Sequence, residues 1–198
     1  PAFLDGGVDL VYVGSATERG LRLMVQALTP YKAELERYVD GGGLMLATGN
    51  ALDALGEYVM IDGKRAFDGL GILHTHAEYH MMKRHNSFLL GSFQDMEIVG
   101  FKSLFGHTYP DEELTDALFR VERGVGRHPG TYAEGFRRGG LMATYLIGPL
   151  LPLNPPFTRY LLEQMGARDV HLAFEDTAMK AYRARVEEFR DEKRGYQY

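Results

Sequence analysis

Leu44-Met45-Leu46-Ala47-Thr48-Gly49-Asn50-Ala51-Leu52-Asp53-Ala54-Leu55-Gly56 is the stretch from which the fold is read. Leu44 to Ala47 is a short apolar run, the pattern of a buried strand. Thr48-Gly49-Asn50 is a tight turn, and Ala51, Leu52, Ala54 and Leu55 open a helix. Strand, sharp turn and helix form the geometry of a nucleophile elbow, whose turn residue projects above the sheet while the helix start aims backbone N–H groups at the same place. In an enzyme that residue is Cys or Ser; here it is Gly49, which has no side chain to react.

The elements on either side agree with this reading. Asp9–Gly14 reads as a buried strand, Thr17 as an N-cap, and Glu18–Leu28 as a helix with apolar positions at Leu21, Met24, Val25 and Leu28. Pro30 opens another helix, carrying Leu35 and Val39 and stopping at Gly41-Gly42-Gly43. Strand, helix, strand, helix in this order implies a parallel sheet covered by helices. From Tyr58 to about Ser103 the pattern turns to short strands: Val59–Ile61 and Arg65–Phe67 around Asp62-Gly63-Lys64, then Leu70–Tyr79, Ser87–Phe93 and Glu97–Lys102. Thr108–Thr115 is turn-rich, and Glu122–Phe136 reads as an irregular surface loop. Leu141–Ile147 is a further buried strand, Phe157–Met165 a helix, and Phe174–Phe189 an amphipathic helix with Phe174, Ala178, Tyr182, Val186 and Phe189 on one stripe.

Composition narrows the function. The 198 residues suit a single domain, residues 1–198, with one sizeable core. A net charge of −5 gives no electrostatic support for nucleic-acid binding. No apolar run approaches the ~20 residues of a membrane span. The sequence opens at Pro1 without a signal-like segment, so a cytoplasmic setting is expected. The absence of cysteine excludes disulfides, thiolate metal ligands and a thiol nucleophile.

Three segments resemble a known family: Gly14 with its loop; the elbow Ala47–Gly56 followed by Phe67-Asp68-Gly69-Leu70-Gly71-Ile72-Leu73; and Ala143-Thr144-Tyr145-Leu146-Ile147-Gly148-Pro149-Leu150-Leu151-Pro152. The chain resembles the class I glutamine amidotransferases of the cobyric acid synthase type, and within them the glutaminase subunit of lipid II isoglutaminyl synthase. That branch carries an elbow like Ile-Cys-Gly-Gly-Tyr-Gln-Leu-Leu-Gly, a Gly-Leu-Gly-Ile-Leu strand and a Gly-Thr-Tyr-Leu-His-Gly-Pro-Leu-Leu stretch. The resemblance runs from about Asp9 to Met165 and implies an α/β fold of flavodoxin-like type, with a parallel core, helices on both faces and added antiparallel strands. It also implies an additional N-terminal βα unit before Asp9, which this sequence does not match.

By the same resemblance, the nucleophilic cysteine falls on Gly49 and the catalytic histidine on Ile147. Hydrolysis of glutamine by this chemistry needs a thiolate to attack the amide and an imidazole to move the proton. At Gly100-Phe101-Lys102-Ser103-Leu104-Phe105-Gly106-His107-Thr108 the family has Gly-Phe-Glu-Asn-His-Gly-Gly-Arg-Thr, so Lys102 replaces an acid and His107 a candidate substrate-binding arginine. The expectation is a chain that has lost glutaminase activity and acts by binding, with Gly14, Asn50 and His107 as candidate substrate contacts. The implied partner is an ATP-dependent Mur-ligase-like subunit that amidates a peptidoglycan precursor. No cofactor or metal is expected.

Two alternatives compete. One is an enzyme of another class, using His107, Asn50 and the elbow N–H groups as an anion or acyl site. The other is a metal-binding module on His74–His85. If this segment is a strand, His74 and His76 share a face, and with His80 or Glu78 they could hold Zn²⁺ or Ni²⁺; a polar strand end is the simpler reading, and His85 lies further on. Ser15 and Thr17 carry hydroxyls beside Gly14 but no identified base. Arg120, Arg123, Arg127, His128, Arg137 and Arg138 could meet an anionic ligand or simply face solvent.

Overall fold

The computed structural model describes Asp5, residues 7–111 and residues 116–196. The strand β1 (Val11–Val13) leads into α1 (Glu18–Leu28), a short 3-10 turn and α2 (Lys32–Asp40). Thr17 caps α1, its hydroxyl accepting from the Gly20 N–H at 3.1 Å. The strand β2 (Met45–Thr48) then enters the elbow, and α3 (Ala51–Leu55) leaves it as little more than one turn. Much further along, β11 (Phe136–Arg138) and β12 (Leu141–Thr144) complete the first sheet in the order β1-β2-β12-β11, in which β1, β2 and β12 run parallel. The parallel core is as expected.

Alternation within β2 sorts its side chains between two cores. Met45 and Ala47 join Leu21, Val25, Leu35, Val39 and Leu52 beneath α1–α3. Leu46 faces the other way, into a core with Met142, Leu89, Phe93, Ile98, Phe119 and Phe157. That face is covered by a second sheet together with two helices, α4 (Leu150–Leu153) and α5 (Pro155–Gln164). The second sheet contains β6 (His85–Phe93), β7 (Met96–Leu104), β9 (Phe119–Arg123) and β10 (Ala133–Glu134), ordered β10-β9-β6-β7. Its far side packs Phe88, Leu90 and Val99 against Tyr182, Val186 and Phe189 of α6 (Glu175–Arg190). Helices, sheet, sheet and helix therefore stack as four layers. A third sheet, β4-β3-β5-β8, combines β3 (Tyr58–Ile61), β4 (Lys64–Asp68), β5 (Thr75–Tyr79) and β8 (Gly106–Pro110).

Several boundaries differ from the sequence reading. Leu70–Tyr79 is a strand only from Thr75. Before it, the chain lies against α3, with Leu70 N–H donating to Ala54 O and both Ile72 and Leu73 N–H donating to Leu55 O. Apolar residues are buried there without strand pairing. Leu141–Ile147 ends as a strand at Thr144, because the Tyr145 N–H donates to the buried Glu134 carboxylate instead of to a neighbouring strand. Glu122–Phe136 is irregular only in its middle, since β9 runs into it and β10 lies within it. Thr108–Thr115 is a strand to Pro110, and residues 112–115 lie outside the described residues.

Candidate functional site

Gly49 sits at the tip of the elbow with φ +60°, the left-handed conformation expected of such a turn and one that a side chain disfavours. A Cβ built there would overlap the Ser15 hydroxyl oxygen and would lie 3.1 Å from Ile147 Cγ2. Ser15 and Ile147 thus close over the position from which a nucleophile would project. Gly49 lines a cleft of about 320 Å³ with Ser15, Asn50, Tyr79, Tyr145 and Ile147, and Glu18 and Arg84 also border it. Among its described lining residues there is no histidine to act as a base. Ser15 Oγ donates only a long bond, 3.4 Å, to Thr48 O.

Two of the backbone N–H groups at the helix start are used within the turn itself. Leu52 N–H donates to Gly49 O and Asp53 N–H to Asn50 O, so the single turn closes on itself. Asn50 is also occupied. Its Oδ1 accepts from Ala16 N–H at 3.0 Å and its Nδ2 donates to Ala16 O at 2.7 Å, as a strand neighbour would. Asn50 therefore fastens the loop after β1 to the elbow.

Beneath the cleft lies a residue that the sequence reading passed over. Asp53 is 1% exposed, and its two oxygens accept from Tyr145 OH and Tyr79 OH, both at 2.5 Å. Burial pushes its carboxyl up to about 7, although the two phenols favour the charged form and pull the other way. Desolvation and the neighbouring Asp53 raise both tyrosines well above their ordinary value. The available signal was an acidic residue within an Ala-Leu helical run with no basic neighbour to neutralise it.

A second buried polar unit supports the same region from the other side. Lys102 Nζ donates to Glu134 Oε2 at 2.8 Å and to Gly126 O at 2.5 Å. The other Glu134 oxygen accepts from Thr144 Oγ1 and Tyr145 N–H. Lys102, which replaces an acid of the resembling family, therefore satisfies a buried carboxylate and serves the fold.

The three candidate substrate contacts do not converge. Asn50 borders the cleft over Gly49. Gly14 lines a neighbouring groove with Tyr12, Leu146 and Pro149. His107 faces another concavity, with His85, Lys102 and Arg84. The anion or acyl site that would combine His107, Asn50 and elbow N–H groups is consequently not assembled.

Nor do the histidines of the His74–His85 segment gather. His74 Nδ1 meets Glu57 at 3.0 Å, and His76 Nδ1 meets Asp111 at 2.5 Å between the rings of Tyr58 and Tyr109. His85 packs against His107, with ring centroids 4.4 Å apart. Among the described residues no group of three or more His, Cys, Asp or Glu side chains is placed to hold a metal ion. Two arginines of the 120–138 segment are held by hydrogen bonds, whereas the Nε and Nη1 of Arg127, which lies over the Phe136 ring, are buried without partners. Arg138 pairs with Asp40 and donates to Ile72 O, while Arg123 donates to Phe189 O, Asp191 O and Arg194 O. Among the described residues no helix is long and apolar enough to cross a membrane.

Against this geometry, comparison with known proteins is direct. The chain is 31% identical over 161 residues to the lipid II isoglutaminyl synthase (glutamine-hydrolyzing) subunit GatD of Staphylococcus aureus strain N315, covering 81% of the chain and 65% of that protein. The chain is similar to GatD. A second GatD, from Streptococcus pneumoniae strain R6, is 23% identical over 185 residues, covering 88% of the chain and 69% of its relative. The chain thus spans 65% and 69% of the length of these curated relatives. Its fold matches a crystal structure of a glutamine amidotransferase with TM-score 0.55 at 18% identity, over 81% of each chain. No family model matches the sequence.

Proposed function

We propose that the chain is a glutamine amidotransferase-like subunit of cell-wall lipid II modification that no longer hydrolyses glutamine and acts by binding. The observation that carries this reading is an elbow without reactive groups, bordering an open cleft. Gly49 offers no nucleophile, the Ser15 hydroxyl fills the space a side chain at 49 would need, and Ile147 presents an alkyl group where the resemblance places an imidazole. The thiolate and the proton carrier that amide hydrolysis requires are both absent from the described lining of the cleft. The similarity to GatD supports the setting. The partner in this reading is an ATP-dependent Mur-ligase-like subunit, which the chain would scaffold for use of free ammonia or would regulate.

Two measurements test it. The purified protein should release no ammonia from glutamine above a buffer blank. Mixed with a candidate ligase, it should support amidation of the lipid precursor with ammonium salts and not with glutamine. Ammonia release that disappears in a Ser15→Ala variant would overturn the proposal and identify Ser15 as a substitute nucleophile.

A further inference from the structure

The concavity faced by His107 is not accounted for by a binding role of the elbow. It measures about 350 Å³ and adjoins the cleft over Gly49 at Arg84 and Leu104, which line both. Its wall is built from β6, β7, β8 and the loop containing Val125 and Pro129. No acidic side chain lines it among the described residues.

The donors there are unsatisfied. His107 is 8% exposed, and neither ring nitrogen makes a hydrogen bond of good geometry, although the Arg127 backbone lies close enough to favour its charged form. A buried imidazole in that state forfeits the bonds it would make in water, a cost that a ligand would relieve. His85 lies against it. Lys102 uses two of its three Nζ donors, on Glu134 and Gly126, and keeps one. At the rim, Arg84 is exposed, lies over the Phe105 ring and makes no ion pair with a described residue. Burial, then His85, Lys102 and His128, hold His107 down to about 4, so at neutral pH each imidazole enters as one N–H donor and one acceptor.

We propose that this concavity, walled by Arg84, His85, Lys102 and His107, is a binding site for a phosphoryl group, separate from the cleft over Gly49. The ligand is inorganic phosphate or a phosphate monoester. Four donor-bearing side chains line it without an acid, and Arg84 offers the fork that suits phosphate oxygens.

Calorimetric titration of the full chain tests this with inorganic phosphate, glycerol 3-phosphate, sodium acetate and zinc chloride. Saturable 1:1 binding of a phosphate compound, at least tenfold tighter than acetate, is expected. Comparing the first two ligands distinguishes free phosphate from a monoester. Arg84→Ala and His85→Ala, both at accessible positions, should each weaken it about tenfold. His107→Gln should weaken it as much while retaining the wild-type fold by circular dichroism. Ile147→Val, in the elbow cleft, should leave it unchanged, so this result stands apart from that of the glutaminase assay. Acetate binding as tightly as phosphate, zinc binding lost in His85→Ala without phosphate binding, or no saturable binding of either phosphate compound would overturn the assignment.

Discussion

Replacing Asp53 by asparagine should change how the stability of the protein depends on pH. Asn keeps the shape, accepting from one tyrosine through Oδ1 and donating to the other through Nδ2, but it never ionises. In the native protein the Asp53 carboxyl sits at about 7 instead of its ordinary 3.8, driven by burial. Between these values the folded chain holds a proton that the unfolded chain releases, so the wild type loses stability as pH rises through this window. Below it both states are protonated; above it both are ionised, and the folded state carries the full cost of a buried charge. A displacement from 3.8 to about 7 is worth about 4 kcal/mol. Urea unfolding of both proteins at intervals from pH 3.5 to 8 measures this. The difference in stability, wild type minus Asp53→Asn, should fall by an amount of that order across the range. Subtracting the two curves removes the contribution of the other carboxylates. Parallel curves, or a wild type that gains on the variant as pH rises, would show that the two phenols outweigh burial and refute the reasoning.

Further outcomes follow from the same contacts. Gly49→Ala should cost about 2 kcal/mol for the left-handed backbone, and more for the overlap with Ser15; urea unfolding should show Ser15→Gly in the same chain recovering the second part. Gly49→Cys with Ile147→His should remain without glutaminase activity by ammonia release until Ser15 is also reduced to Gly, since the hydroxyl occupies the path of the thiol. Asn50→Ala should cost about 2 kcal/mol in the same unfolding assay, leaving the Ala16 N–H and carbonyl without their partner. Lys102→Met or Glu134→Gln should each cost about 3–5 kcal/mol, with the double variant less damaging than the two costs added, as a double-mutant cycle would read.

Local pattern sufficed wherever one rule governed a segment. The Leu44–Gly56 elbow, the Thr17 cap of α1 and the Tyr182, Val186 and Phe189 stripe of α6 are each specified by neighbours close in sequence, whereas Phe174, read as part of that stripe, stands exposed ahead of the helix with φ +55°. The reading failed where distant residues decided. Leu70, Ile72 and Leu73 have the apolarity of a strand, yet their backbone bonds go to α3, which no local pattern discloses. Tyr145 leaves its strand for a carboxylate eleven residues earlier. At the site, the emptiness of Gly49 was evident from composition, but the hydroxyl that occupies its space comes from the loop after β1. His107 was singled out by alignment with an arginine, yet β8 turns it toward His85 and away from the elbow.

Arg123 has a practical consequence. It reaches from β9 to gather the carbonyl oxygens of Phe189, Asp191 and Arg194, at the point where α6 exposes the negative end of its dipole. The last turn of the helix and the chain beyond it are thereby moored to a central strand. Cutting the chain back into α6 would strand a cation whose acceptors had all been removed, so a truncation there should cost more than the few residues it deletes.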